Sequence, residues 1–188
     1  GERRMLQHDL PELPELDNLF APEGAILRAQ TLAAAAFGAR RTWFLVNGTT
    51  GGVLGALLAC VQLARASSAK RVCVVLPRNA HKSAVHALVL CGATPVWVLP
   101  ELDAASGLPL GLSARAVERA IAAAPGHVAA VLVVSPTYHG VVSDIRAVAD
   151  VCRAAHAPLV VDEVRRPARL RATPLRHAPP SGPSGARR

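Results

Sequence analysis

Arg71-Val72-Cys73-Val74-Val75-Leu76-Pro77-Arg78-Asn79-Ala80-His81-Lys82-Ser83 is the stretch that decides the fold class. Arg71 to Leu76 is almost continuously β-branched or aliphatic, the pattern of a strand buried on both faces; a half-wet strand would alternate instead. Pro77 to Asn79 breaks the run, and Ala80 to Cys91 has the composition of a helix. The same alternation recurs on both sides. Strands are expected over Thr42 to Val46, Pro95 to Leu99, Val128 to Val134 and Pro158 to Val161, and helices over Glu23 to Phe37, Gly51 to Ala66, Ser113 to Ala124 and Asp144 to Ala155. Strand and helix in turn predict an α/β domain, a mostly parallel sheet with helices on both faces. Ligands of such sheets bind beyond the carboxyl ends of the strands, so the loops there carry the functional information.

The chain has 188 residues, 51% of them hydrophobic, enough for one core and too many for a disordered protein. Its longest apolar runs, such as Val128 to Val134, stop well short of the ~20 residues a spanning helix needs. The opening Gly1-Glu2-Arg3-Arg4 offers no apolar signal region. A soluble protein without a membrane partner is expected. Cys60, Cys73, Cys91 and Cys152 stand apart, with no Cys-x-x-Cys pair, so reduced core cysteines are expected rather than a metal site or disulfides; cytoplasm or plastid would suit them.

The net charge of +8 would ordinarily point to nucleic acid, but its distribution does not. Gly1 to Glu163 holds 14 Lys and Arg against all 13 acids, whereas Val164 to Arg188 holds 7 arginines and no acid. The body is nearly neutral. The Arg/Pro/Gly/Ser tail of residues 164–188 is expected to be disordered, with nucleic-acid binding unlikely. At the other end, residues 1–22 read as an extended acidic, proline-spaced lead-in, leaving 23–163 as the folded domain.

Asn47-Gly48-Thr49-Thr50-Gly51-Gly52 follows the first expected strand and opens a helix. Helix N-terminal amides, hydroxyls and glycines together suit a phosphate, although a well-capped turn would look the same. His81 stands where an imidazole could stack on a planar ring or accept a proton; a surface histidine is the bland alternative. His86, inside the next helix, reads as a packed core residue. Ser135-Pro136-Thr137-Tyr138-His139-Gly140 crowds hydroxyl and imidazole groups into one loop, or is simply a turn set by Pro136 and Gly140. Asp162 and Glu163 end an apolar strand, where a carboxylate is costly unless it meets a cation or donor; a protonated pyridine nitrogen is one such partner. No Gly-x-Ser-x-Gly elbow is present for a serine hydrolase.

Taken in order, Leu13-Pro14-Glu15-Leu16-Asp17-Asn18-Leu19, Asn47 to Gly52, Arg78 to Ser83, Ser135 to Gly140 and Val161-Asp162-Glu163 resemble successive signatures of the bacterial-type ornithine/lysine/arginine decarboxylases. The resemblance covers Met5 to Glu163. It implies the aspartate-aminotransferase-like large domain of fold type I enzymes, pyridoxal 5'-phosphate as cofactor, and decarboxylation of a basic amino acid to an amine in a homodimeric intact protein. Carried over by position, it implies that Gly48, Thr49 and Thr50 bind the phosphate and that His81 stacks on the pyridine ring. The resemblance further implies that Asp162 pairs with the ring nitrogen, with Thr137 and His139 as candidate contacts only.

The resemblance also has a limit. In the family a lysine further on holds the cofactor covalently, but the chain has only Lys70 and Lys82, and Lys82 belongs to a motif whose lysine does not serve this purpose. After Glu163 the sequence departs from the family pattern into Val164-Arg165-Arg166-Pro167. The chain alone is therefore expected to be inactive. Two rivals differ in class: a non-catalytic paralogue that partners a full-length subunit, and another enzyme of the same fold such as an aminotransferase or aldolase.

Overall fold

The computed structural model describes residues 16–67 and 71–163. These fall into two compact units, 16–44 and 45–163. The expected tail lies outside the described residues, as does the lead-in up to residue 15.

The first unit is built on helix α1 (Ala25–Phe37), an alanine- and leucine-rich segment ended by Gly38 in the left-handed conformation, φ 65°. Its N-terminus is organised from a distance. The Asp17 carboxylate accepts N–H bonds from Asn18 (2.9 Å), Glu23 (3.0 Å), Gly24 (3.0 Å) and Ile26 (2.7 Å), so one side chain satisfies donors that a helix start would otherwise leave unpaired. These bonds, the one from Glu23 foremost, hold the Asp17 carboxyl below its ordinary pKa.

The second unit contains α2 (Gly48–Ala66), β1 (Val72–Pro77), α3 (Lys82–Cys91), β2 (Thr94–Val98), α4 (Ala114–Ala122), β3 (His127–Val134), α5 (Ile145–Ala154) and β4 (Leu159–Asp162). The four strands are parallel, in the order β2-β1-β3-β4. Helices α2 and α3 cover one face, where Leu57, Val61, Val74, Leu76, Ala84 and Leu132 pack together. On the opposite face α4 and α5 contribute Val117, Val148 and Cys152 against Val75, Val131 and Val133. Successive residues of β1 thus point into two different cores, which is why its sequence is apolar without alternation. Each fully buried Val or Leu stabilises the fold by roughly 1.5–3 kcal/mol relative to exposure. The expected parallel sheet with helices on both faces is the architecture observed.

Four of the five expected strands form, with ends shifted by one residue. Thr42 to Val46 does not form a strand. Trp43, Phe44, Leu45 and Val46 are exposed, and no described strand pairs with them. Their β-forming composition has no ladder partner to satisfy the backbone, and the division between units falls at Phe44. His86 is also exposed, not core, because α3 turns Ala84, Ala87, Leu88 and Cys91 inward and leaves position 86 outside. Helix α2 begins at Gly48, so the Gly/Thr motif is its first turn. By length and composition alone α2 could cross a bilayer, contrary to the expectation from the lengths of unbroken apolar runs. Its Val53, Leu57 and Val61 pack on the sheet, while 22% of its apolar stretch is buried among the described residues.

Cys73, Cys91 and Cys152 are buried, as expected of core cysteines, and Cys60 is half-buried. Burial raises the pKa of Cys60, Cys73 and Cys152.

Candidate active site

The strand order creates a switch point. From β1 the chain runs outward to β2, then crosses back over β1 to β3 and continues to β4, so the loops leaving β1 and β3 diverge and open a crevice between them. All the residues of the crevice belong to the second unit.

On the β1 side, Arg78 donates its N–H to the Val98 carbonyl at 3.0 Å and Ala80 donates to Pro77 at 3.1 Å, a tight turn that delivers His81 to the start of α3. His81 has extended backbone (φ −63°, ψ 150°), and its Nδ1 accepts the Ser83 N–H at 3.2 Å, making the imidazole the cap of the helix. The Ser83 hydroxyl lies 2.9 Å from the same nitrogen.

On the β3 side, the loop is held by its own hydroxyls. Ser135 Oγ accepts the Ser143 N–H at 3.1 Å, and Thr137 Oγ1 accepts the Val141 N–H at 3.2 Å. Thr137 further donates its N–H to Val141 O at 2.8 Å, and Gly140 donates to Thr137 O at 3.0 Å. Beside it, Val134 is in register with Asp162 at the end of β4, and the Ser135 N–H donates to Asp162 O at 3.1 Å. The first turn of α2 approaches the same edge. Asn47 does not cap it with its side chain, and Gly48 enters the helix at φ +58°.

The result is a cleft of about 190 Å³ lined by Thr49, Thr50, His81, Ser83, Val134, Pro136, Tyr138 and Asp162. Four residues expected from the sequence, Thr49, Thr50, His81 and Asp162, meet here although they come from three separate segments. Gly48, Thr137 and His139 do not line it. For Thr137 the reason is visible: it is buried, and its hydroxyl belongs to the loop. His139 is exposed beyond the turn, and Gly48 contributes a backbone conformation. Ser83, Val134, Pro136 and Tyr138 were not singled out from the sequence. Three of them lie inside quoted motifs, and only the direction of each side chain, which a motif does not encode, distinguishes them from their neighbours.

One wall offers hydroxyls and an uncapped helix N-terminus, favourable to an anion. Another offers an imidazole, and Asp162 brings a carboxylate to the end of an apolar strand. An elongated ligand with an anionic group, a planar ring and a cationic or donating nitrogen fits this set.

The Orn/Lys/Arg decarboxylase major domain matches residues 1–174. The chain belongs to that family. Its match begins before Met5 and continues past Glu163, wider than the stretch read from motifs, into residues outside those described. Among the Orn/Lys/Arg decarboxylases, the arginine decarboxylase of Halalkalibacterium halodurans is 38% identical over 158 residues, 84% of this chain and 30% of that protein. The chain therefore spans less than a third of that relative. The crystal structure of Oryza sativa TDC with PLP and tryptamine has a TM-score of 0.61 at 19% identity, covering 73% of this chain and 32% of that one. N-Succinyldiaminopimelate aminotransferase from Mycobacterium tuberculosis has a TM-score of 0.58 at 21% identity, covering 87% and 40%. These likenesses are of fold, and they agree with the expected aspartate-aminotransferase-like domain.

Proposed function

We propose that the cleft is the pyridoxal 5'-phosphate site of a decarboxylase acting on arginine, lysine or ornithine, of which this chain carries the phosphate, stacking and ring-nitrogen contacts. The observation that carries this is the convergence of Thr49, Thr50, His81 and Asp162 in one cleft at the switch point of the sheet. Membership of the Orn/Lys/Arg decarboxylase family supports the substrate class, and the arginine decarboxylase relative makes arginine the first substrate to test.

When bound, the cofactor supplies the electron sink that stabilises the substrate carbon left after carbon dioxide departs. The chain's own residues bind and orient. The Thr49 and Thr50 hydroxyls, with the first-turn amides of α2, take the phosphate. His81 presents its ring to the pyridine, and Asp162 holds the proton on the ring nitrogen. Val134 and Pro136 supply apolar wall that keeps water from these contacts and strengthens them.

Within these 188 residues the lysines are Lys70 and Lys82. Lys82 is exposed and does not line the cleft, and Lys70 lies outside the described residues. Covalent attachment of the cofactor would need a lysine amine as the nucleophile toward its aldehyde, so this chain alone is expected to bind without turnover. The intact protein is proposed to act as a homodimer.

Titration of the chain with pyridoxal 5'-phosphate, followed by absorbance, tests the assignment against D162N and the T49A/T50A double variant. Loss of a charge-assisted hydrogen bond is expected to weaken binding about 10- to 100-fold in D162N. Equal affinity in all three proteins would count against the assignment, whereas saturable turnover of arginine by the chain alone would count against its expected inactivity and not against the site.

A further inference from the structure

We propose that Ser83 is a positioning residue for His81, holding the imidazole in its Nε2–H tautomer and in one orientation within the cleft. The stacking role of that ring rests on the cofactor assignment above; the tautomer does not.

Two contacts reach the same atom. The Ser83 backbone N–H lies 3.2 Å from His81 Nδ1 and the Ser83 hydroxyl 2.9 Å from it. A backbone amide can only donate, so at 3.2 Å it favours an unprotonated, accepting Nδ1, and the closer hydroxyl, at 2.9 Å, adds the larger part of that preference. In the neutral ring the proton is then on Nε2, and the hydroxyl also serves Nδ1 as a donor. Ser83 is a fixed anchor. It is 1% exposed and stands in the first turn of α3, between the cap residue and the buried Ala84 and Ala87. The amide cannot move without disturbing that packing.

Holding Nδ1 at the helix end restricts both side-chain torsions of His81, so the ring has a set face before any ligand arrives. It also makes Nε2–H the polar atom left for a bound group. A planar partner therefore meets an imidazole that needs no reorientation, with its donor on a defined edge. Ser83 itself lines the cleft, yet its hydroxyl is directed to His81, which separates its role from those of Thr49 and Thr50.

The test is the long-range ¹H–¹⁵N spectrum of the histidines in the full chain, with His81 assigned by the loss of its signals in H81Q. The wild-type protein is expected to show His81 as the Nε2–H form. In S83A the backbone donor remains and the hydroxyl is lost, so an Nδ1–H population should appear; S83T, which keeps the hydroxyl, should return the ring to the wild-type form. Pyridoxal 5'-phosphate affinity should fall about 2- to 10-fold in S83A and recover in S83T, the range for one neutral hydrogen bond. An Nδ1–H form of His81 in the wild type overturns the proposal, as does an S83A tautomer population equal to that of the wild type. The wild-type spectrum reads the tautomer alone, so a folding defect in S83A does not remove the test. Failure of the wild-type chain to bind the cofactor, with the tautomers as expected, would overturn the cofactor assignment and leave the Ser83–His81 relationship standing.

Discussion

Ser135 Oγ accepts the backbone N–H of Ser143 at 3.1 Å, and Ser143 Oγ in turn accepts the N–H of Leu112 at 3.1 Å. Both serines are buried. Two hydroxyls thereby tie the β3 loop to the segment that leads into α4, and the cleft wall formed by Pro136 and Tyr138 is mounted on this tie. Ser143→Ala removes the acceptor for a buried amide and is expected to cost about 1–3 kcal/mol. Urea unfolding of the two proteins side by side measures it; equal midpoints would show that the tie contributes nothing.

Gly111 bears on the same tie. A Cβ added there would run into the Ser143 side chain and press on its backbone. Since Ser143 is already committed to two hydrogen bonds, it cannot turn aside at no cost. Gly111→Ala is expected to destabilise by about 1–3 kcal/mol through overpacking, and the double variant G111A/S143A should recover part of that loss in the same denaturation series.

Gly48 is constrained differently. Its φ of +58° lies in the left-handed region, and a Cβ there would meet nothing within 4 Å. Gly48→Ala should therefore cost about 1–2 kcal/mol through backbone strain alone. If the first turn of α2 relaxes to relieve it, phosphate-dependent binding should fall more than binding of pyridoxal without its phosphate. Comparing the two ligands by titration separates strain at the anion end from general loss of fold.

Thr137 and His139 share a loop with the cleft but not the cleft itself. Because the Thr137 hydroxyl accepts the Val141 amide, Thr137→Ala is expected to lower stability by about 1 kcal/mol. His139 is exposed, and His139→Ala should stay within about 0.5 kcal/mol of wild type. A cofactor affinity tenfold weaker in either single variant would mean that the loop rearranges to bring that side chain onto the ligand.

Asp17 gives α1 an acid sensitivity. Its carboxyl is held below its ordinary pKa chiefly by the Glu23 amide, with Ile26, Asn18 and Gly24 adding to it and partial desolvation opposing. A group with a depressed folded pKa contributes stability that is present above its unfolded value and lost as the pH falls through the folded one. Helix α1 should therefore loosen in the acid range below the usual aspartate pKa of about 3.9, and Asp17→Asn should remove that step. Amide exchange at Ile26 as a function of pH is the direct readout, and protection unchanged down to the lowest pH would refute it.

Much of this was legible in one dimension. Burial on two faces leaves a strand with no polar alternation, so β1 and β3 announced both themselves and the parallel sheet. The ligand edge followed, since in a parallel sheet every strand ends on the same side, and His81 and Asp162 could be placed there from strand ends alone. Thr42 to Val46 shows the limit of that logic: its residues have strand character, but a strand exists only where a neighbour supplies the ladder, and a local pattern carries no information about the neighbour.

The amino-acid sequence by itself determined the order of helices and strands, the placement of polar residues after strand ends, and the motifs shared with the Orn/Lys/Arg decarboxylases. Each is set by spacing along the chain. Only the tertiary structure decided that the first turn of α2 meets the ends of β1, β3 and β4 in one cleft, that the Thr137 hydroxyl turns inward while Tyr138 lines the opening, and that the Ser83 hydroxyl lies 2.9 Å from His81 Nδ1. Those outcomes depend on side-chain direction and on hydrogen-bond partners brought together by folding, and neither is written in spacing.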